Sequence, residues 1–186
     1  MLDTVKNRVN GLDLTALGEV VESIEADPKK ALVSFNVTTS WTGQTRTETV
    51  VDGYTLGGER IARTHKIVAD EPFELLGGDS APNPQELLMA AFNACVSVGY
   101  VAGAAIRGIK LSALEIRTYG QLDLRGFLGL SDDIPPGYEA IDFEVRIAGD
   151  GTPEQFEEIH AEVQATSPNY DNLARAIRMD ARLEIA

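Results

Sequence analysis

Apolar side chains along the chain follow two different spacings, and each spacing predicts a different kind of element. Apolar and polar positions alternate over residues 31–39, 45–51 and 140–147, and residues 61–68 and 111–124 are interpreted as further strands. An alternation with a period of two is typical of strands that bury one face and expose the other. The pattern therefore predicts strands in both halves of the chain.

The N-terminal segment has helical spacing instead. Apolar side chains recur every three or four positions over residues 3–27, with Asp13 as a candidate N-cap and Pro28 as a stop. We therefore predict a helical N-terminal extension over residues 1–30, followed by one domain over residues 31–186.

A long stretch without charge, residues 87–106, has the length of a membrane span. Its many alanines, together with Gly99 and Gly103, make it only weakly apolar. This composition favours a central helix buried on all sides over a membrane helix, with Pro84 in its first turn. The two glycines would let another element approach closely, including the same helix of a second subunit.

The C-terminal third predicts two more helices and a short strand. Residues 153–165 form an acidic amphipathic pattern, in which we interpret His160 as part of a solvated face. Ser167 and Pro168 suit the N-cap and first position of a further helix, and residues 182–185 suit a short final strand. Strands and helices that do not alternate strictly indicate an α+β fold.

Composition and charge narrow the classes of function. The 186 residues include 16 Lys and Arg but 29 Asp and Glu, which gives a net charge of −13. Such a chain repels phosphate backbones and anionic bilayers, so we expect neither a nucleic-acid partner nor a membrane partner. The single cysteine suits a reducing compartment, and we expect the cytoplasm.

Metal and cofactor motifs are absent from the sequence. The two histidines, His65 and His160, have no cysteine partners at the spacing of a zinc site. The paired glycines fit turns and do not match a phosphate-binding loop. We therefore expect no metal and no cofactor.

Cys95, on the predicted central helix, is the candidate nucleophile. Its helical neighbours are apolar, so it also suits the role of a small core residue. A reactive cysteine must be a thiolate, and in an acidic chain this requires a nearby cation. Arg46 and Arg63, on strands before the helix, could supply that cation, although either could equally be an exposed strand charge.

Three stretches of sequence resemble a known family. DEPFELLGGDSAPNPQELLMAAFNACVS and the later TSPNYDNL are similar to the osmotically inducible protein C (OsmC) and organic hydroperoxide resistance family. The resemblance runs from about residue 41 to the C-terminus. GIKLSALEIRTYGQLDLRGFLGLSDD is similar to a branch of single-cysteine OsmC-like proteins.

The resemblance implies an α+β fold with antiparallel sheets around a long buried central helix, in an intertwined homodimer. It also implies a peroxiredoxin-like site for the oxidative stress response. Cys95 falls at the position of the cysteine that attacks the hydroperoxide, and Ser167 falls where the family has a resolving cysteine. Gln85 falls where the family has a glutamate, and the arginine that this glutamate holds falls at Arg46, with Arg63 as second choice.

Two departures limit what the resemblance implies. Ser167 cannot form a disulfide, and Gln85 has no charge to pair with Arg46. The expected activity is therefore a one-cysteine thiol peroxidase that reduces organic hydroperoxides through Cys95, with an external thiol as reductant. The alternatives are a non-catalytic module that binds a small hydrophobic ligand and a stable dimer whose N-terminal helix docks a partner.

Overall fold

The computed structural model describes residues 7–185, and the chain divides into two compact units, Met1–Ala90 and Ala91–Ala186. The first six residues of the predicted N-terminal extension lie outside the described residues. These two units do not test the predicted division into residues 1–30 and 31–186, which stays a prediction.

The first unit opens with a short hairpin. Its strands are β1 (Arg8–Val9) and β2 (Leu12–Asp13), and helix α1 follows over Leu14–Ala26. The prediction of one helix over residues 3–27 is therefore wrong over residues 8–13, and its first four residues lie outside the described chain. Asn10 and Gly11 have φ of 52° and 82°, and an Asn-Gly pair with positive φ favours a tight hairpin turn over a helix. Asp13 caps α1 as predicted, since its side chain accepts a hydrogen bond from the Ala16 N–H at 3.2 Å.

An antiparallel sheet of four strands follows in this unit. A 3₁₀ turn over Pro28–Ala31 leads into the sheet, whose members are β3 (Val33–Phe35), β4 (Thr38–Gly43), β5 (Arg46–Leu56) and β6 (Glu59–Ala69). β5 is central: β3 and β4 pair with it along one edge, and β6 pairs with it along the other.

The strand predicted over residues 31–39 is divided in two because of an irregularity in β5. The register of β5 against β6 shifts between Val51 and Gly53, and Gly53 has φ of 147° with its backbone pressed against Ile61. A bulge of this kind bends a strand and disrupts its ladder. On the opposite edge, the pairing with β3 and β4 is interrupted at the same level.

A buried carboxylate organises the loop that leads to the long helix. Asp70 is 2% exposed and accepts hydrogen bonds from the Thr45 hydroxyl at 2.8 Å and the Ser80 hydroxyl at 2.7 Å. Backbone N–H groups of Glu71, Gly78 and Ser80 add further donors. The Ser80 and Thr45 hydrogen bonds lower the pKa of Asp70 to about 2, so the carboxylate stays ionised and holds the loop at neutral pH.

Helix α2 (Pro84–Ile106) leaves the first unit and enters the second. The remaining elements of the second unit are β7 (Leu111–Gly120), α3 (Leu124–Phe127), β8 (Ile141–Gly149), α4 (Pro153–Thr166) and α5 (Pro168–Ala174). β7 and β8 form an antiparallel pair. This mixture of antiparallel sheets and helices is the α+β class predicted from the sequence.

Two of the strands predicted for the C-terminal half of the chain differ from the structure. The strand predicted over 111–124 ends at Gly120, because Asp123 caps α3 through the Arg125 N–H. Residues 182–185, predicted as a strand, belong to no strand in the structure. Their apolar side chains Leu183 and Ile185 are exposed, so nothing in the described chain pairs with this segment.

The core of the second unit forms on one face of α2. Phe92, Val96, Tyr100 and Ala104 are buried there, and the cluster also includes Ile109 after the helix and Ile159 and Val163 of α4. The opposite face of α2 is open, with Val98 68% exposed and Ile106 64% exposed. α2 is the one helix among residues 7–185 long and apolar enough to cross a membrane, and its buried face makes it a core helix of this unit.

Helix α4 of the same chain packs closely against α2 at Gly99 and Gly103. A Cβ atom added to Gly99 would lie 2.9 Å from Val163 Cγ2, and one added to Gly103 would lie 3.2 Å from Ile159 Cγ2. The element that the glycines admit is therefore α4. An ion pair reinforces the contact: Arg107 donates to both carboxylate oxygens of Glu162 and so holds the pKa of that carboxyl below its usual range.

Substituting Gly99→Ala is expected to destabilise the second unit. The added methyl group overlaps Val163 and should cost about 1–3 kcal/mol, against roughly 1 kcal/mol gained in helix propensity. Thermal unfolding followed by circular dichroism should show a lower Tm. Gly18→Ala in α1 is the matched control, because no atom lies within 4 Å of its added Cβ. A Tm for Gly99→Ala at or above that of Gly18→Ala would contradict the close approach.

Candidate functional site

The candidate site lies where α2 meets the junction of α4 and α5. Two contacts between α2 and α4 form an antiparallel ladder with steps of one helical turn: Gly103 faces Ile159, and Gly99 faces Val163. One more step in the same direction reaches Cys95 on α2 and Ser167 at the end of α4. Cys95 Sγ and Ser167 Oγ are 3.4 Å apart.

Ser167 is both the C-cap of α4 and the N-cap of α5. Its N–H donates to the Val163 carbonyl at 2.9 Å, and its hydroxyl oxygen accepts from the Tyr170 N–H at 3.3 Å. The prediction of Ser167 as an N-cap is confirmed. Since the oxygen already accepts from Tyr170, the single hydroxyl proton is available to be donated to Cys95 Sγ.

Ser167 and Cys95 differ in how deeply they are buried. Ser167 is 6% exposed, whereas Cys95 is half-buried. The sulfur is therefore neither sealed in the core nor fully open.

Two amide side chains fasten α2 beside the sulfur. Asn169 Nδ2 donates to the Ala91 carbonyl at 2.9 Å, which ties α5 to the turn of α2 before Cys95. Asn93 accepts from the Thr118 hydroxyl and donates to the Ile116 carbonyl on β7. These bonds fix the position of Cys95 from two sides.

The structure corrects the interpretation of His160. It is half-buried, its Nδ1 is hydrogen-bonded to the Tyr100 hydroxyl, and its Nε2 is 2.8 Å from Gln164 Nε2. Burial raises the pKa of Tyr100 to about 12, so its hydroxyl stays protonated. The interpretation of His160 as part of a solvated face is wrong because Tyr100 reaches it from α2. Its four-residue spacing from Gln164 was the available signal.

The two candidate arginines lie in the first unit, where each already has a partner. Arg46 donates to the Thr42 hydroxyl and to Glu48 Oε1, both at 3.0 Å. Arg63 lies over the ring of Tyr54, 4.9 Å from its centre. The carboxylate that holds Arg46 is therefore Glu48, and the pair could be recognised in the sequence because side chains two positions apart on a strand share a face.

Gln85 is exposed in the first turn of α2. The neighbouring Glu86 is engaged in capping that helix: it accepts from the Asn83 N–H and donates its own N–H to Asn83 Oδ1, both at 2.8 Å. Arg46 thus bonds to Thr42 and Glu48 in the first unit, and the orienting role of Gln85 stays a prediction.

Arginines of the second unit are mostly committed to other groups. Arg107, Arg125, Arg175 and Arg178 each form an ion pair with a nearby Asp or Glu, and Arg117 lies over the ring of Tyr119. In residues 91–185, the hydrogen-bond partner of Cys95 Sγ is the Ser167 hydroxyl. Across residues 7–185, no three His, Cys, Asp or Glu side chains are grouped so that they could hold a metal ion.

These features define an α+β protein in which a lone cysteine on a long core helix faces a hydroxyl at a helix junction. The family model described as OsmC-like protein matches residues 77–182, more than half of the chain. The chain belongs to the OsmC family, as the resemblance in its sequence indicates.

Solved structures share the fold at low sequence identity. An OsmC-like protein from Mycoplasma pneumoniae is 15% identical with a TM-score of 0.60, over 76% of this chain and 87% of that one. An OsmC-like protein of unknown function from Vibrio cholerae is 14% identical with a TM-score of 0.55, over 74% and 92%. No curated protein matches the chain. The likeness establishes the fold.

Substituting Ser167→Cys tests the geometry of the site. A sulfur at this position would be close enough to Cys95 to form a disulfide after a small side-chain movement. Mild oxidation with diamide should therefore remove both free thiols and leave the protein monomeric on a denaturing, non-reducing gel. Thr166→Cys is the matched control, because the Thr166 side chain bonds to the Glu162 carbonyl of its own helix. Retention of two free thiols in Ser167→Cys would contradict the placement.

Proposed function

We propose that this protein is a one-cysteine thiol peroxidase that reduces organic hydroperoxides through Cys95. The observation that carries the proposal is the 3.4 Å contact between the half-buried Cys95 Sγ and the buried Ser167 hydroxyl. A nucleophilic cysteine needs access for its substrate and a group that stabilises the thiolate. This contact supplies a hydrogen-bond donor for the second requirement.

The reaction is a two-electron exchange. The Cys95 thiolate attacks the terminal oxygen of a hydroperoxide, ROOH, and a sulfur–oxygen bond forms as the oxygen–oxygen bond breaks. The alkoxide leaves and takes up a proton to become the alcohol, ROH. Cys95 is oxidised to a sulfenic acid, and the hydroperoxide is reduced.

An external thiol completes the cycle, because Ser167 has no sulfur with which to form a disulfide. The external thiolate attacks the sulfenic sulfur and forms a mixed disulfide, and the departing hydroxide takes up a proton to become water. A second external thiol attacks the external sulfur of this mixed disulfide. The two external thiols leave joined as a disulfide, and the Cys95 thiol is restored. Ser167 thus acts as a positioning group for the thiolate.

A cation is the remaining part of the proposed site. We assign this role to Arg46 or Arg63, with Gln85 orienting the arginine. Arg46 has a side chain that is 37% exposed and a single close carboxylate, Glu48. Such an exposed ion pair is weak, so exchange of its partner would cost little.

The working state is proposed to be a homodimer in the cytoplasm. The sheet of the first unit exposes large apolar side chains, including Trp41 at 73%. In the second unit, the hairpin of β7 and β8 is a two-stranded sheet, which is marginal by itself. The exposed face of α2 at Val98 adds a further apolar surface. A second copy of the chain would cover these surfaces, and the reducing cytoplasm would supply the thiol.

A non-catalytic role is the second candidate. A cavity of about 330 Å³ opens beside Phe92, one helical turn before Cys95. Its size and aromatic lining suit a small hydrophobic ligand. The two roles differ in one property of Cys95, since binding alone does not require a reactive sulfur.

Peroxide consumption should depend on both members of the sulfur–hydroxyl pair. With cumene hydroperoxide and excess dithiothreitol, the wild-type chain should consume peroxide, and Cys95→Ser should not. Ser167→Ala should lower the rate by roughly tenfold, the value of one hydrogen bond to a charged group. Thr166→Ala, which removes a neighbouring hydroxyl, should retain the wild-type rate. Equal rates for wild type and Cys95→Ser would refute catalysis and leave the binding role.

The oligomeric state can be measured by light scattering after size exclusion. The wild-type chain should have about twice the mass of one 20.1 kDa chain. Val98→Glu places a charge on the exposed apolar face of α2 and should shift the mass towards one chain. Ala161→Glu, at an exposed position of α4, should leave the dimer intact. A monomeric wild-type protein would rule out the homodimer.

A further inference from the structure

The end of the β7–β8 hairpin has a gap on the face that packs against the helices. In the register of the hairpin, Thr118 pairs with Phe143 and Gly120 pairs with Ile141, so these four residues share one face. The Thr118 hydroxyl bonds to Asn93 of α2, which identifies this face as the inner one. Gly120 has no side chain, and β7 therefore leaves space beside Ile141.

The ring of Tyr138 closes the end of this gap. A Cβ added to Gly120 would lie 2.9 Å from Cδ1 of the ring, so the ring occupies the place that a side chain at Gly120 would take. Tyr138 belongs to the segment between β7 and β8, whose two arms touch: a Cβ added to Gly126 would lie 2.4 Å from the Pro135 carbonyl oxygen. The segment thus adds an aromatic wall to the inner face of the hairpin.

A cavity of about 330 Å³ remains between this wall, the inner face of β8 and two helices. Phe92 of α2, which is buried, and Tyr170 and Leu173 of α5 line it together with Phe143. The Phe143 ring meets the rings of Phe92 and Tyr170 edge to face, with centres 5.1 and 6.2 Å apart. The cavity is therefore an aromatic box at one end of the core of the second unit.

The size and chemistry of this box favour small uncharged rings. An apolar cavity of about 150 Å³ holds one benzene ring, so the box has room for one or two rings. Edge-to-face contacts with its own rings favour an aromatic ligand over a saturated one. Among the described residues that line the box, Glu139 alone carries a charge, and it is exposed. A ligand carboxylate would have no counter-charge there, and an ammonium group would lose its water without a buried partner.

We propose that this cavity binds a small uncharged aromatic molecule of one or two rings. The ligand ring lies between Phe92, Phe143 and Tyr170, with Tyr138 at its end. The proposal deepens the binding role given above as the second candidate function, and it rests on that role. Cys95 is not among the residues that line the cavity, so the site does not require a reactive sulfur.

Isothermal titration of the full chain with four matched probes tests the class of ligand. Phenethyl alcohol has an aromatic ring, cyclohexylethanol has a saturated one, and phenethylamine and hydrocinnamate add a positive and a negative charge to the aromatic ring. At neutral pH, phenethyl alcohol should bind most tightly. Its affinity should exceed that of cyclohexylethanol by about two- to tenfold, which corresponds to one edge-to-face contact, and that of either ion by about tenfold.

Two leucine variants test whether the probe binds in the cavity. Leu173 lines the cavity and is exposed on its other side, so Leu173→Trp should fill the space without disturbing the core and should abolish binding of phenethyl alcohol. Leu183→Trp is the matched control, because Leu183 is exposed and outside the cavity. This control should bind as the wild-type protein does.

Two glycine variants test the wall that Tyr138 forms. The methyl group of Gly120→Ala would overlap the Tyr138 ring and displace it, so this variant should bind phenethyl alcohol several times more weakly. Gly137→Ala is the matched control, because its added Cβ meets no atom within 4 Å, and it should retain wild-type affinity.

Cys95→Ser should bind phenethyl alcohol as the wild-type protein does, so a failure of the peroxidase proposal would leave this titration unchanged. Binding of cyclohexylethanol as tight as that of phenethyl alcohol would overturn the preference for an aromatic ligand. Equally tight binding of either ion would overturn the uncharged class. Absence of binding of phenethyl alcohol at millimolar concentration, or equal binding by Leu173→Trp and Leu183→Trp, would overturn the site.

Discussion

The close approach of α4 to α2 is the contact on which the candidate site depends. Gly103 and Gly99 have no side chains, so Ile159 and Val163 pack directly onto the helix backbone. The two helices run antiparallel with a step of one turn, and the next step brings Ser167 to Cys95. A larger residue at either glycine would separate the helices and move the hydroxyl away from the sulfur. The site is thus a consequence of core packing.

The replacement of sulfur by a hydroxyl at position 167 changes what the site can do. A second cysteine could form a disulfide with oxidised Cys95, whereas the Ser167 hydroxyl forms only hydrogen bonds, with Cys95 Sγ and with the Tyr170 N–H. The same serine also caps α5 and closes α4, so it is held by its backbone role whatever the state of the sulfur.

The distribution of apolar surface separates the two units. The buried apolar residues of the described chain belong to the second unit, where α2, α4 and the β7–β8 hairpin meet. The first unit has an extended four-stranded sheet with large apolar side chains in solvent, and its organised loop depends on the buried Asp70 carboxylate. A unit with so little buried apolar surface gains little stability from hydrophobic burial within its own fold. This physical shortage is the reason to propose a second chain as its cover.

The class of fold, the long α2, most of the strands and the caps at Asp13 and Ser167 could be predicted from the amino-acid sequence, because these depend on local spacing and on single side chains. The sequence also indicated the family through the motif around Cys95. Three further features became visible only in the folded chain: α4 is the helix that packs on the glycines, Tyr100 covers His160, and Glu48 pairs with Arg46. The fold also divided the strand predicted over 31–39, where a bulge in β5 interrupts pairing, and left residues 182–185 unpaired. Each of these depends on a contact between residues far apart or across strands, and periodicity along one segment carries no information about its partner.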